Sequence, residues 1–113
     1  MSQITSHVLD TNLGKPAVNM PVILYQHIEQ QWQVLAHSNT NQDGRVTDLL
    51  TEHSNLPMGV YRVHFDTEHY FNTLQQECFY PYVDVVFQIS GNGEHYHIPL
   101  LLSAFGYSTY RGS

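Results

Sequence analysis

His95-Tyr96-His97-Ile98-Pro99-Leu100-Leu101-Leu102-Ser103 is the stretch whose pattern decides the fold. In an extended strand alternate side chains point to opposite faces. Tyr96, Ile98, Leu100 and Leu102 therefore share one continuous apolar face, suited to a core, while His95 and His97 lie together on the other. The sequence then runs into Tyr107-Ser108-Thr109-Tyr110-Arg111-Gly112-Ser113. Terminal segments are usually frayed and polar. This one carries two tyrosines and one of only four basic residues, so a role is expected for it.

The same period-two patterning recurs upstream, bounded by turn residues. Strands are expected over residues 4–9, 22–28, 45–50, 60–66 and 82–90, with a last one in the tail. Trp32, Val34 and Ala36 mark a further strand, with Gln31, Gln33 and His37 on its other face. In 60–66, Tyr61, Val63 and Phe65 read as inward and Arg62 and His64 as outward. Asn41-Gln42-Asp43-Gly44 is a strong turn, because Asp and Gly tolerate positive φ. Only residues 67–76 read as helix, with Thr67 as N-cap, Glu68 in the first turn, and Tyr70, Phe71 and Leu74 as the buried stripe. Many short strands and one short helix predict an all-β class, an antiparallel β-sandwich forming a single domain over residues 1–113.

Composition narrows the functions. Ten acidic residues against four basic ones give a net charge of -6, the wrong sign for a nucleic-acid binder. No apolar run is long enough for a membrane helix. The lone Cys78 leaves no internal disulfide and no cysteine-built zinc site. A cytoplasmic setting is expected, or a periplasmic one had a signal peptide been removed.

Three readings of the histidines compete. His95-x-His97 has the spacing by which a strand presents two imidazoles to a metal, with His7 as a third ligand and Glu94 nearby. The plainer alternative is two polar residues on a solvated face. The third is metal-free acid–base catalysis, since an imidazole with a pKa of about 6.5 exchanges protons near neutrality. Arg45, after the Asp43-Gly44 turn, suits an anionic substrate or an oxyanion. Arg62 and Lys15 read as solvated surface residues. No nucleophile elbow, P-loop or dinucleotide fingerprint is present.

Taken together, Ser6-His7-Val8-Leu9-Asp10, Gly14-Lys15-Pro16-Ala17, Asp43-Gly44-Arg45, Gly59-x-Tyr61-Arg62-Val63, the His95–Ser103 stretch and the ending Tyr110-Arg111-Gly112-Ser113 resemble the transthyretin-related 5-hydroxyisourate hydrolases. The resemblance spans the chain in order, and the last four residues are its most specific mark. Ala104 departs from the proline usual there. The resemblance implies a transthyretin-like sandwich of two four-stranded sheets with one short helix, assembled as a homotetramer with sites in a channel between dimers. It implies hydrolysis of 5-hydroxyisourate, the product of urate oxidation, with no cofactor and no metal. Carried over by position, the catalytic set is His7, Arg45, His97 and Ser113, and His7, Arg45 and Tyr110 bind substrate. Tyr110 and Ser113, with its terminal carboxylate, would shape and close the pocket. The rival is a transthyretin-like carrier of a small ligand without catalysis.

Overall fold

The computed structural model describes residues 2–113. The strands are β1 (Ile4–Asp10), β2 (Lys15–Pro16), β3 (Pro21–Ile28), β4 (Gln31–Asn39), β5 (Arg45–Val46), β6 (Gly59–Phe65), β7 (Val83–Ile89), β8 (Tyr96–Leu102) and β9 (Tyr107–Thr109), with one helix, α1 (Thr67–Thr73), between β6 and β7. One sheet has the order β2-β1-β8-β9, with the short β5 also on β1; the other has the order β4-β3-β6-β7. The expected sandwich with one short helix is present; the strand expected over 45–50 shortens to Arg45–Val46, and the first sheet gains the two-residue β2, which was not expected. All pairs are antiparallel except β1 with β8, which run parallel from Ile4 beside Tyr96 to Asp10 beside Leu102.

The core lies between the two sheets. Ile4 and Val8 from β1 and Ile98, Leu100 and Leu102 from β8 face Val22, Leu24, Tyr61, Val63 and Phe65 from the second sheet. The apolar face read from residues 95–103 is thus buried, and Tyr61, Val63 and Phe65 point inward as expected. Each large apolar side chain removed from water contributes about 1.5–3 kcal/mol before entropy is counted.

Four local readings are corrected. The helix is capped by Asp66, whose carboxylate accepts the His69 N–H at 3.1 Å. Thr67 is buried instead, its hydroxyl donating to the Tyr80 carbonyl at 2.6 Å. Helical residues end at Thr73, so Leu74 becomes the exposed C-cap and only Tyr70 and Phe71 form the buried stripe. In β4, Ala36 pairs with Leu24 but Val34 pairs with Tyr25, leaving Leu35 as an extra residue. This bulge shifts the alternation. Ala36 packs on the core, whereas Val34 is exposed and Trp32 turns its ring to the outer face. Arg62, read as solvated, is stacked on that face with its guanidinium carbon 4.2 Å from the Tyr25 ring centre and 4.6 Å from that of Trp32.

Helix and first sheet are tied by one buried group. Asp10 accepts the Asn12 and Leu13 N–H groups through Oδ1 and the Tyr70 hydroxyl through Oδ2 at 2.7 Å. Burial, reinforced by the Asp10 carboxylate, pushes the Tyr70 phenol well above its usual pKa.

Candidate active site

The outer face of the first sheet collects residues far apart in the chain. Pairing of β1 with β5 sets His7 beside Arg45, and pairing of β1 with β8 sets Thr5 beside His97. Arg45 reaches this register through a tight turn at Gly44 (φ 74°), where a Cβ would meet the Val8 carbonyl oxygen at 2.4 Å. Only glycine allows β5 to approach β1 so closely. An isolated bridge sets Gly112 beside His97, its N–H donating to the His97 carbonyl at 2.8 Å. Thr5, Arg45, Thr47, His95, His97 and Ser113 line a cleft of about 140 Å³ on this face.

His97 is held from several directions. Its Nδ1 lies 2.8 Å from the Thr5 hydroxyl oxygen, and His95 Nε2 lies 3.0 Å from the same oxygen. The two imidazoles are stacked, with centres 6.4 Å apart and planes 18° from parallel. Burial pushes the His97 pKa below the usual histidine value, and the positive charge of Arg45 and the neighbouring His95 and His7 push it further down, against an opposing contact with Thr5. A ring so placed is neutral near neutral pH and can accept a proton. Among the described residues no group of three or more His, Cys, Asp or Glu is arranged to hold a metal ion.

The tail divides its residues between two places. Ser113 lines the cleft with Arg45 and His97. Arg111 lies over the Tyr96 ring at 4.7 Å and 3.4 Å from a Glu94 carboxylate oxygen. That carboxylate also accepts the Tyr96 hydroxyl at 2.9 Å, which, more than Arg111, holds its pKa below the ordinary value. Glu94 thus pins the tail. Tyr110 does not join the cleft of its own chain; it is exposed and lines a separate groove with Val86, Phe87 and Ile98. Thr5 was missed in the sequence. Its alternation with His7 on β1 was the available signal, but its neighbour across the sheet could not be read from spacing.

The model of the HIUase/Transthyretin family matches residues 4–112. The chain belongs to this family. Within it, the chain is 49% identical over 115 residues to the 5-hydroxyisourate hydrolase of Mus musculus, covering 99% of this chain and 96% of the mouse protein. It is 46% identical over 110 residues to the 5-hydroxyisourate hydrolase of Salmonella typhimurium, covering 97% and 80% respectively. Sea bream transthyretin, solved in complex with thyroxine, superposes with a TM-score of 0.91 at 33% identity, covering 98% of this chain and 95% of that one. The HIUase/transthyretin sandwich therefore carries, in this member, a neutral imidazole, a guanidinium and a second histidine on one sheet face. That set can take a proton from water and hold developing negative charge.

Proposed function

We propose that this protein is a 5-hydroxyisourate hydrolase that opens the six-membered ring of its substrate without a cofactor. The observation that carries the proposal is His97 set in a cleft beside Arg45, its pKa pushed down by burial and by that charge, with His7 next to Arg45 in register. The relatives named 5-hydroxyisourate hydrolase, at 40–49% identity over nearly the whole chain, support the same reading.

A water oxygen bonds to a ring carbonyl carbon while an imidazole, His97 or His7, takes the water proton. Arg45 faces the oxyanion that develops and orients the urate-like ring. The carbonyl carbon–nitrogen bond then breaks, and the imidazole returns its proton to the departing ring nitrogen. One water is consumed and the protein ends unchanged. Ser113 closes the cleft beside the two reacting groups. Tyr110 contacts substrate only where an assembly of copies brings it to a cleft, so its role belongs to the proposal of a homotetramer. A cytoplasmic setting accompanies that proposal, consistent with a single cysteine, Cys78, whose thiol is pushed up by burial and by Glu68 and Glu77.

The test is ultraviolet decay of freshly generated 5-hydroxyisourate with and without protein. Acceleration by the wild type is expected, with His97→Asn or His7→Asn slower by about 100-fold or more, the usual worth of a positioned acid–base group. No acceleration by the wild type overturns the hydrolase and leaves the carrier reading. Light scattering of the purified protein tests the tetramer.

A further inference from the structure

We infer that Thr5 and His95 set the tautomer of His97, acting as positioning residues that keep its Nε2 free of a proton. The inference rests on His97 being the base of the proposed hydrolase.

The geometry supplies the argument. A hydroxyl has one hydrogen to donate and lone pairs to accept. The Thr5 oxygen is within hydrogen-bond distance of two ring nitrogens, His97 Nδ1 at 2.8 Å and His95 Nε2 at 3.0 Å. It can donate to at most one of them, and it accepts from any ring nitrogen that carries a hydrogen toward it. If Thr5 donates to His97 Nδ1, the neutral ring carries its hydrogen on Nε2 and presents a donor to the cleft, where no base remains. If Thr5 donates to His95 Nε2, it accepts from His97 Nδ1–H, and His97 Nε2 is a bare lone pair.

Only the second arrangement survives the reaction. Once His97 has taken a proton at Nε2, both of its nitrogens carry hydrogen, so Nδ1 must donate to Thr5. The Thr5 hydrogen must then point away from His97, and His95 Nε2, at 3.0 Å, is the ring acceptor within its reach. With that arrangement in place beforehand, proton uptake at Nε2 requires no rotation of the hydroxyl and no change at His95. This is preorganisation of the kind that makes fixed dipoles effective in catalysis. Thr5 is buried and His95 exposed, so the hydroxyl is fixed while its acceptor is the ring with access to solvent. The Thr5 side chain stands directly across from His97 in the parallel register, which fixes the approach. In this arrangement His95 presents a bare Nε2 to the Thr5 hydroxyl and serves as its acceptor. This reassigns the His95-x-His97 pair from joint ligands to a single base and the group that sets it.

The experiment combines kinetics with the imidazole nitrogen NMR shifts of His97. Thr5→Val keeps the side-chain shape and removes the hydroxyl, whereas Thr5→Ser keeps the hydroxyl. The expected result is wild-type His97 with its hydrogen on Nδ1, a mixture of tautomers in Thr5→Val, and recovery in Thr5→Ser. In the decay assay Thr5→Val is expected to lower kcat by about tenfold or more with KM little changed, since the loss falls on the proton transfer. His95→Phe, which removes the acceptor, is expected to shift the tautomer in the same sense. Wild-type His97 bearing its hydrogen on Nε2, or Thr5→Val with unchanged kcat, overturns the inference. A wild type without turnover fails the hydrolase reading instead, and the nitrogen shifts still decide the tautomer.

Discussion

Gly112 lies so close to His97 that a Cβ on it would stand 2.5 Å from the imidazole Cδ2 and 3.2 Å from Pro99 Cγ. Real Cβ atoms are not found at such a distance, so either the ring or the tail must move. The ring is tied on its far edge by Thr5, and the tail is tied at its next residue by the Arg111 contacts with Glu94 and Tyr96. Gly112 is the point where two anchored segments meet without room between them.

Gly112→Ala is therefore expected to displace His97 or lift Ser113 from the cleft. Misplacement of a reacting group by about 1 Å costs on the order of 100-fold in rate. The decay assay should show a loss of that order, while thermal melting should change little because the tail buries little of the core. A variant with wild-type turnover would show that the tail does not constrain the ring.

The pH dependence follows from the direction of the His97 shift. Burial first, then Arg45, His95 and His7, hold its pKa below the value of about 6.5 for a free imidazole. Only the unprotonated ring can accept a proton, so kcat/KM should be full above about pH 6.5 and fall on a limb lying at lower pH. Stability has the same sign: the unfolded chain takes the proton first, so the contribution is present above the unfolded pKa and is lost as pH falls through the folded one. Arg45→Gln removes one of the charges, and NMR titration should then place the His97 midpoint higher than in the wild type. An unmoved or lowered midpoint would contradict the assigned cause.

Arg62 offers a stability test remote from the cleft. Its guanidinium stacks on Tyr25 and Trp32 and approaches Asp84 at 3.8 Å, while Asp84 also lies 2.7 Å from His64 Nδ1. Two cation–π contacts at a partly exposed site are worth about 1–2 kcal/mol together. Urea unfolding of Arg62→Ala should show a loss of that size, and Arg62→Lys should recover only part of it because the planar stack is gone. Turnover should be unchanged in both.

Tyr70→Phe should prove costly for a change of one atom. It leaves Asp10 Oδ2 buried without the 2.7 Å hydrogen bond it now accepts. An orphaned buried acceptor costs about 1–3 kcal/mol. Chemical denaturation should detect the loss, with kcat retained because α1 stands apart from the cleft residues. Stability equal to the wild type would mean that Asp10 finds another donor.

What could be read from the sequence followed local periodicity. The alternations in residues 60–66 and 95–103 were legible because each sheet buries one face, which forces every second residue to be apolar. Alternation failed at Leu35, where a single extra residue shifts the phase and sends Trp32 outward to stack on Arg62. No composition rule announces a bulge. The helix N-cap was misplaced by one residue because Asp66 and Thr67 are both good caps, and burial of Thr67 against Tyr80 decided between them. Of the cleft residues, Arg45, His97 and Ser113 were identifiable by residue type and by resemblance, as was His7, which pairs with Arg45 on the same sheet but does not line the cleft. Thr5 was not, since its importance comes from a parallel pairing that leaves no trace in local spacing. Tyr110 was assigned to the same pocket as Ser113, but the tyrosine lines a different groove.

The parallel seam between β1 and β8 also bears on when this protein becomes competent. Thr5 and His97 are 92 residues apart. Closing a loop of that length is entropically unfavourable, and contacts of such long range form late in folding. A chain still lacking its penultimate strand has His7 and Arg45 but no partner ring for them. Recovery of turnover after dilution from denaturant thus acts as a clock for completion of the whole sandwich, and partly folded chains are silent in the assay.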